Sequence, residues 1–143
     1  MLGGVSARGG QEMLKLSRQV DLGILLLTDL AGLKNGQTLS LSNWAQTKHL
    51  PYRFLTKIAL SLKQAKLITS KEGRTGGYRL AKGISQISLG EVIARLEGRT
   101  SPVACLRGEQ CPAFPYCRHK KVIIGVSGLI DNYLSKVTLK ELC

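Results

Sequence analysis

Three cysteines, Cys105, Cys111 and Cys117, stand at equal intervals in the run CLRGEQCPAFPYC. This C-x5-C-x5-C spacing gathers three thiolates in one short segment, and thiolate is the soft ligand that iron–sulfur clusters and zinc both accept. The spacing matches neither the ferredoxin runs nor the short zinc knuckles. On chemistry alone three readings stand: an iron–sulfur cluster, a zinc ion, or reduced structural thiols. Pro102, Pro112 and Pro115 make residues 99–116 an irregular segment. An exposed irregular loop suits a sensor, since a small molecule or oxidant must reach the metal. Cys143 is the fourth thiol, and nothing in the sequence fixes its place.

The second chemistry is electrostatic. Lys and Arg number 21 against 9 Asp and Glu, a formal net charge of +12. From Lys48 to Lys82 there are nine basic residues and one acid, Glu72. Such an excess favours a polyanion, either nucleic acid or an anionic membrane surface. A membrane-surface protein would carry its cations on an amphipathic helix, whereas these span a helix and a hairpin. An enzyme is disfavoured, because the chain has two histidines and no base–nucleophile pair, phosphate loop or paired carboxylates.

The elements that must position these residues can be read in order. With 143 residues the chain suffices for one compact domain and a small appendage, and it buries enough surface to need no disulfide. Residues 1–12, rich in glycine, are expected to be a disordered extension. The apolar stretch Leu22–Leu33 follows Lys15 and Arg18 as a signal peptide would. It is preceded by Asp21 and contains Asp29, lacks a cleavage site, and at twelve residues is too short to span a bilayer. It is expected to be a core helix of a cytoplasmic protein with reduced thiols. Ser17 caps this helix, which runs to about Leu33, ahead of Asn35-Gly36. Ser40 starts a short second helix around Trp44 and Ala45. His49 and Leu50 turn the chain, and Pro51 opens a third helix at its first position. Leu55, Ile58, Leu62 and Ala65 form the buried stripe of that helix.

Two short helices joined by a tight turn, the second basic on its outer side, make a helix-turn-helix. The hairpin of Leu67-Ile68-Thr69 and Tyr78-Arg79-Leu80, with a basic glycine-rich link, is a wing. Ser88 and Glu91 are spaced as a capping box for a fourth helix ending at Gly98. A long helix from about Cys117 to Ser135 follows, with one apolar stripe of Val122, Val126, Leu129 and Tyr133 and another of Ile123, Ile130 and Leu134. One stripe can cover the chain's own core; the other calls for a two-fold partner. Thr138 and Glu141 make a last capping box. The fold class is mainly α with a β-hairpin wing. Residues 13–98 form the winged helix-turn-helix domain, and 99–143 the cysteine loop and dimerisation helix.

A recognition helix presents its N-terminal residues to base edges in the major groove, which here are Tyr52, Arg53, Thr56 and Lys57. Arg53 is suited to bidentate contact with guanine, worth about 1–3 kcal/mol of discrimination, and Thr56 to a thymine methyl. Ser40 and Lys48 lie where phosphates pass, and Arg74 at the wing tip suits a minor groove. The plainer alternative is a set of solvated side chains.

These segments together resemble the Rrf2 family of winged-helix regulators. The resemblance runs from about Leu14 to Leu142 and is carried by LKLSRQVDLGILLLTDLA, WAQTKHLPYRFLTKIALSLKQAKLI, GRTGGYRLAKG, ISLGEVIARLEG and the cysteine run. It implies a homodimer, paired through the long helix, on a palindromic double-stranded operator. It also implies an iron–sulfur cluster on Cys105, Cys111 and Cys117 whose state alters DNA affinity, with repression the expected direction. Nitric oxide, oxygen or redox state, and iron–sulfur status are the signals it suggests.

The chain departs from the family pattern in places. The usual glycine after the recognition helix is Lys66, at a cost of about 1 kcal/mol if it takes a left-handed conformation. The histidine that IscR-type members place three residues after the last cysteine is Lys120, and an ammonium is a poor ligand. His119 would be turned about 100° away on a helix. In NsrR-type members an aspartate early in the first helix of the other subunit serves as a ligand, and Asp21 matches it. That match favours a four-iron over a two-iron cluster. The plainer role for Asp21 is an ion pair with Arg18 or a solvated first-turn acid.

Overall fold

The computed structural model describes residues 16–74, 76–98 and 110–143. The expected extension of residues 1–12, Cys105 and the first part of the cysteine segment lie outside them. Among the described residues five α-helices and one hairpin follow in order: α1 (Arg18–Ala31), α2 (Leu41–Lys48), α3 (Tyr52–Gln64), β1 (Ile68–Lys71), β2 (Gly77–Leu80), α4 (Leu89–Leu96) and α5 (Lys120–Lys136).

The serines signalled as caps perform that role. Ser17, Ser40 and Ser88 each accept from the backbone N–H three residues on, at 3.4, 3.4 and 3.1 Å, satisfying donors that a helix start otherwise leaves unpaired. The box at α4 is only half formed, because the Glu91 carboxylate meets Lys82 Nζ at 3.5 Å instead of reaching back. Helix α1 stops at Ala31, short of Leu33, where the N–H of Gly32 folds back onto the carbonyls of Thr28 and Asp29. Pro51 stands just before α3 in an extended conformation, so the helix begins one residue later than expected.

The core lies between α1, α3 and α4. Val20, Leu26, Leu27, Leu55, Ile58, Leu62 and Val92 are sealed in it, with Leu67 and Ile68 from the root of the wing. Each such side chain contributes about 1.5–3 kcal/mol by burial. Helix α3 ends as a Schellman turn: Lys66 is left-handed at φ 60°, and the N–H of Leu67 reaches the Leu62 carbonyl at 3.0 Å. The lysine is therefore accommodated where a glycine is usual, and the two leucines it brings together are both buried.

Strands β1 and β2 pair antiparallel from Ile68 opposite Leu80 to Lys71 opposite Gly77. The hairpin is tied to the helical body by a bridge the sequence does not announce. Leu39 exchanges both backbone hydrogen bonds with Tyr78, each 2.8 Å. That approach leaves no room at the neighbouring residue, since a Cβ on Gly77 would lie 2.5 Å from the Leu39 carbonyl oxygen. Gly77→Ala is expected to push the wing off this bridge and cost about 1–3 kcal/mol, read as a lower denaturant midpoint.

Helix α5 is attached by its far end. The N–H of Leu89 donates to the Val137 carbonyl at 2.8 Å, and the N–H of Leu139 to Ile87 at 3.0 Å. Leu139 is fully buried, and α4 approaches α5 closely at Gly90, where a Cβ would lie 3.2 Å from the Ser135 nitrogen. The Thr138 box forms as expected. Its hydroxyl and N–H both donate to the Glu141 carboxylate, at 2.5 and 2.8 Å, which holds that carboxyl below its ordinary range. Of the two stripes on α5, Leu134 packs on the core. Val122, Leu129 and Tyr133 stay 67%, 71% and 68% exposed, a continuous apolar strip along the helix. No described helix is long and apolar enough to cross a membrane.

Candidate nucleic-acid interface and metal centre

Helix α3 separates its residues by period. Leu55, Ile58, Ala59 and Leu62 face the core, so Arg53 and Lys57 fall on the opposite arc, with Thr56 at its flank and Tyr52 in the first turn. Tyr52, Arg53 and Lys57 are exposed. Arg53 and Lys57 form no hydrogen bond or ion pair among the described residues, and Arg74 in the link of the wing is likewise exposed and unpaired. The Thr56 hydroxyl donates to the Arg53 carbonyl at 2.7 Å, which leaves its methyl as the group free to meet an apolar partner. Ser40 is occupied as the cap of α2, and its hydroxyl also stands 3.1 Å from that of Ser42.

Helix α2 holds α3 in place through its own anchor. Trp44 is buried, and its indole Nε1 donates to Asp29 of α1 at 2.6 Å. Lys48 Nζ meets the same carboxylate oxygen at 3.5 Å, so this expected phosphate contact already has a partner at one end. His49 makes the turn between α2 and α3 in a left-handed conformation, φ 55°. Asp29→Ala would leave the indole N–H without its partner. A loss of about 1–3 kcal/mol in stability is expected, with α2 loosened against α1, and hydrogen exchange at the indole would report it.

The cysteine segment enters the described residues at its middle. Cys111 is exposed, Cys117 is half-buried, and both are free thiols, as is the exposed Cys143. Phe114–Tyr116 forms a short 3-10 turn and Cys117 is extended, so α5 begins at Lys120 and not at Cys117. Lys120 Nζ stacks over the Phe114 ring, 4.3 Å from its centroid, which ties the start of α5 to this turn. His119 is the residue before the helix, and its Nε2 stands 3.5 Å from Cys117 Sγ. The expectation that His119 points away assumed a helix already formed at residue 117, which the turn prevents. Asp21 is exposed in the first turn of α1, and its carboxylate has no partner among the described residues, so the ion pair with Arg18 is not made.

Among the described residues no three metal-ligating side chains converge; Cys105, the third thiol, is outside them. Cys111 and Cys117 are unbridged thiols, the soft donor type that a thiolate-bound metal takes, and of the three described donors only Cys117 and His119 stand together.

A helix-turn-helix with an anchored wing and unpaired cations on its outer helix defines a winged-helix DNA-binding protein. Residues 16–143 match the Rrf2 family, described as an iron-dependent transcriptional regulator. The chain belongs to that family: it is a transcriptional regulator and not an enzyme. It is 31% identical over 131 residues to the HTH-type transcriptional regulator NsrR of Halalkalibacterium halodurans, covering 90% of each chain. The structure of CymR, the global cysteine regulator of B. subtilis, superposes with a TM-score of 0.72 at 31% identity, covering 90% of this chain and 95% of that one. The T. potens IscR structure does so with 0.71 at 27% identity, over 93% and 88%.

Proposed function

We propose that this chain is an operator-binding homodimer, expected to repress, whose Cys105, Cys111 and Cys117 hold an iron–sulfur cluster that sets operator affinity. When bound, the cluster supplies a group that reacts with oxygen or nitric oxide. The observation that carries the reading is the connection between the two sites. The turn bearing Cys117 leads directly into α5, and the far end of α5 is hydrogen-bonded to α4 and the strand-like segment before it. Helix α4 in turn packs on α1 and α3.

The exposed strip of Val122, Leu129 and Tyr133 is the surface on which a second copy would pair. A change in the cysteine segment would then shift α5 against its partner and alter the spacing of the two recognition helices. Residues 13–98 read a palindromic double-stranded operator, through Arg53 and Thr56 at base edges, Tyr52 and Lys57 beside them, and Ser40, Lys48 and Arg74 on the backbone or in the minor groove. The compartment is the cytoplasm.

Two donors qualify for the remaining position on the metal. Asp21 of the partner subunit is implied by the family resemblance, which with it favours four irons over two; His119 is brought in by its contact with Cys117. Zinc on the same thiols is the alternative cofactor, with the same fold and no redox response. The DNA-binding half is tested by titrating duplexes at several salt concentrations. Binding should fall about 10³–10⁵-fold between 50 and 200 mM salt if six to ten phosphates are contacted, and a palindromic site should outcompete random duplex. Equal affinity for every duplex would reduce the chain to a nonspecific polycation.

A further inference from the structure

Among the charged residues expected to meet DNA, Lys48 differs from the rest. Arg53, Lys57 and Arg74 have no ion pair among the described residues, whereas Lys48 Nζ lies 3.5 Å from Asp29 Oδ2. The same oxygen accepts the Trp44 indole N–H at 2.6 Å. Trp44 and Lys48 are four residues apart on α2 and so share one face of it. We infer that Asp29 is a positioning residue for DNA binding: its carboxylate, fixed by the indole, holds Lys48 ready for a backbone phosphate of the operator. The inference rests on the reading of Lys48 as a phosphate contact.

Each link in this run of contacts is firmer than the one beyond it. Trp44 is buried, so its N–H has a fixed place, and its bond to the carboxylate is charge-assisted. Asp29, with its side chain 31% exposed, is thereby set in one orientation. Lys48, at 42%, is held through one of its three donors, and two remain for a phosphate. Lys48 is also the last residue of α2, and α3, whose first turn enters the groove, begins at Tyr52. The held ammonium therefore stands beside the turn where the backbone flanking that groove passes.

Two effects of the carboxylate oppose each other. Its charge repels every phosphate, in operator and random duplex alike, and lowers the net charge that draws the chain to any polyanion. Its grip on Lys48 spares the rotamer freedom that an unheld lysine loses on contact. That saving is realised only where a phosphate has a fixed position, and random duplex, bound in many registers, offers none. The charge effect cancels in the ratio of operator to random affinity, and the positioning effect remains in it.

The test is Asp29→Asn, whose amide oxygen still accepts the indole N–H while the charge is gone. The probes are a random-sequence duplex and the palindromic duplex that the wild type selects from a random pool, each titrated at several salt concentrations. Asp29→Asn is expected to bind random duplex no more weakly than the wild type does, yet to lower the ratio of selected to random affinity about 2–10-fold. Lys48→Gln should lower the same ratio and flatten the salt slope on the selected duplex by about 0.9. In the Lys48→Gln background, Asp29→Asn should leave the ratio where it is. An unchanged ratio in Asp29→Asn alone, or an equal fall with and without Lys48, would overturn the inference and leave the DNA-binding reading standing. The second of these results is what mere loosening of α2 gives. Trp44 is the one tryptophan of the chain, and its unaltered fluorescence in Asp29→Asn is expected as the sign that α2 keeps its seat. A Lys48→Gln protein with the wild-type slope would overturn the phosphate contact and the inference together, and a wild type that selects no duplex would overturn the operator reading as well.

Discussion

Cys111→Ala is expected to leave the purified protein colourless, with iron and sulfide lost together and operator affinity no longer responding to oxygen or nitric oxide. The side chain is exposed and takes no part in the core, so the fold should survive with stability within about 0.5 kcal/mol of the parent. The loss therefore reports on ligation and not on folding. Removing one of three thiolates deprives the centre of one of its soft donors. Visible absorption with iron, sulfide and zinc counted on one anaerobic sample checks this. A variant that still switches would remove the cysteine segment from the mechanism.

Arg53→Ala is expected to weaken operator binding about 5–150-fold, equivalent to about 1–3 kcal/mol, and to relax sequence preference at one position of each half-site. Arg53 is the second residue of α3, exposed, with no intramolecular partner to lose, so stability should be unchanged. Lys57→Ala provides the contrast. A side chain acting on phosphate should weaken operator and random duplex alike and lower the salt slope by about one. Competition titrations of both variants against both duplexes separate the two roles, and equal losses on random DNA for Arg53→Ala would place it on the backbone.

The parts of this molecule governed by nearest neighbours were legible in the sequence. Ser17, Ser40 and Ser88 cap the helices they precede, and the apolar period of α3 names its buried face. Lys66, read as a departure from a glycine position, takes the left-handed conformation such a position demands. What escaped is set by residues distant in the chain or by a local break in helical period. Leu39 is a single residue between helices, with no alternating run to mark it as the partner of Tyr78. Asp29 stands in the sequence only as a charge within the apolar run of α1, yet it receives the Trp44 indole and Lys48 from α2.

Glu91 was available for its own cap but met Lys82 across the loop before α4. At the candidate centre, helical geometry applied to residues 117–120 turns His119 away, whereas the 3-10 turn and extended Cys117 bring it back. The spacing of Pro112 and Pro115 was the available signal that the helix starts later. The two stripes of α5 were both visible, but only the backbone pairing at Leu89 and Leu139 shows that the helix is held at one end and leaves the strip exposed.

The most direct measurement is operator affinity of one preparation before and after its cluster is removed, at fixed salt and on the same duplex. The two forms should differ at least about tenfold, a coupling of about 1.4 kcal/mol, with random duplex bound equally by both. Identical operator affinities for the cluster-bound and cluster-free protein would contradict control by the cysteine segment and leave a winged-helix regulator that answers to another signal.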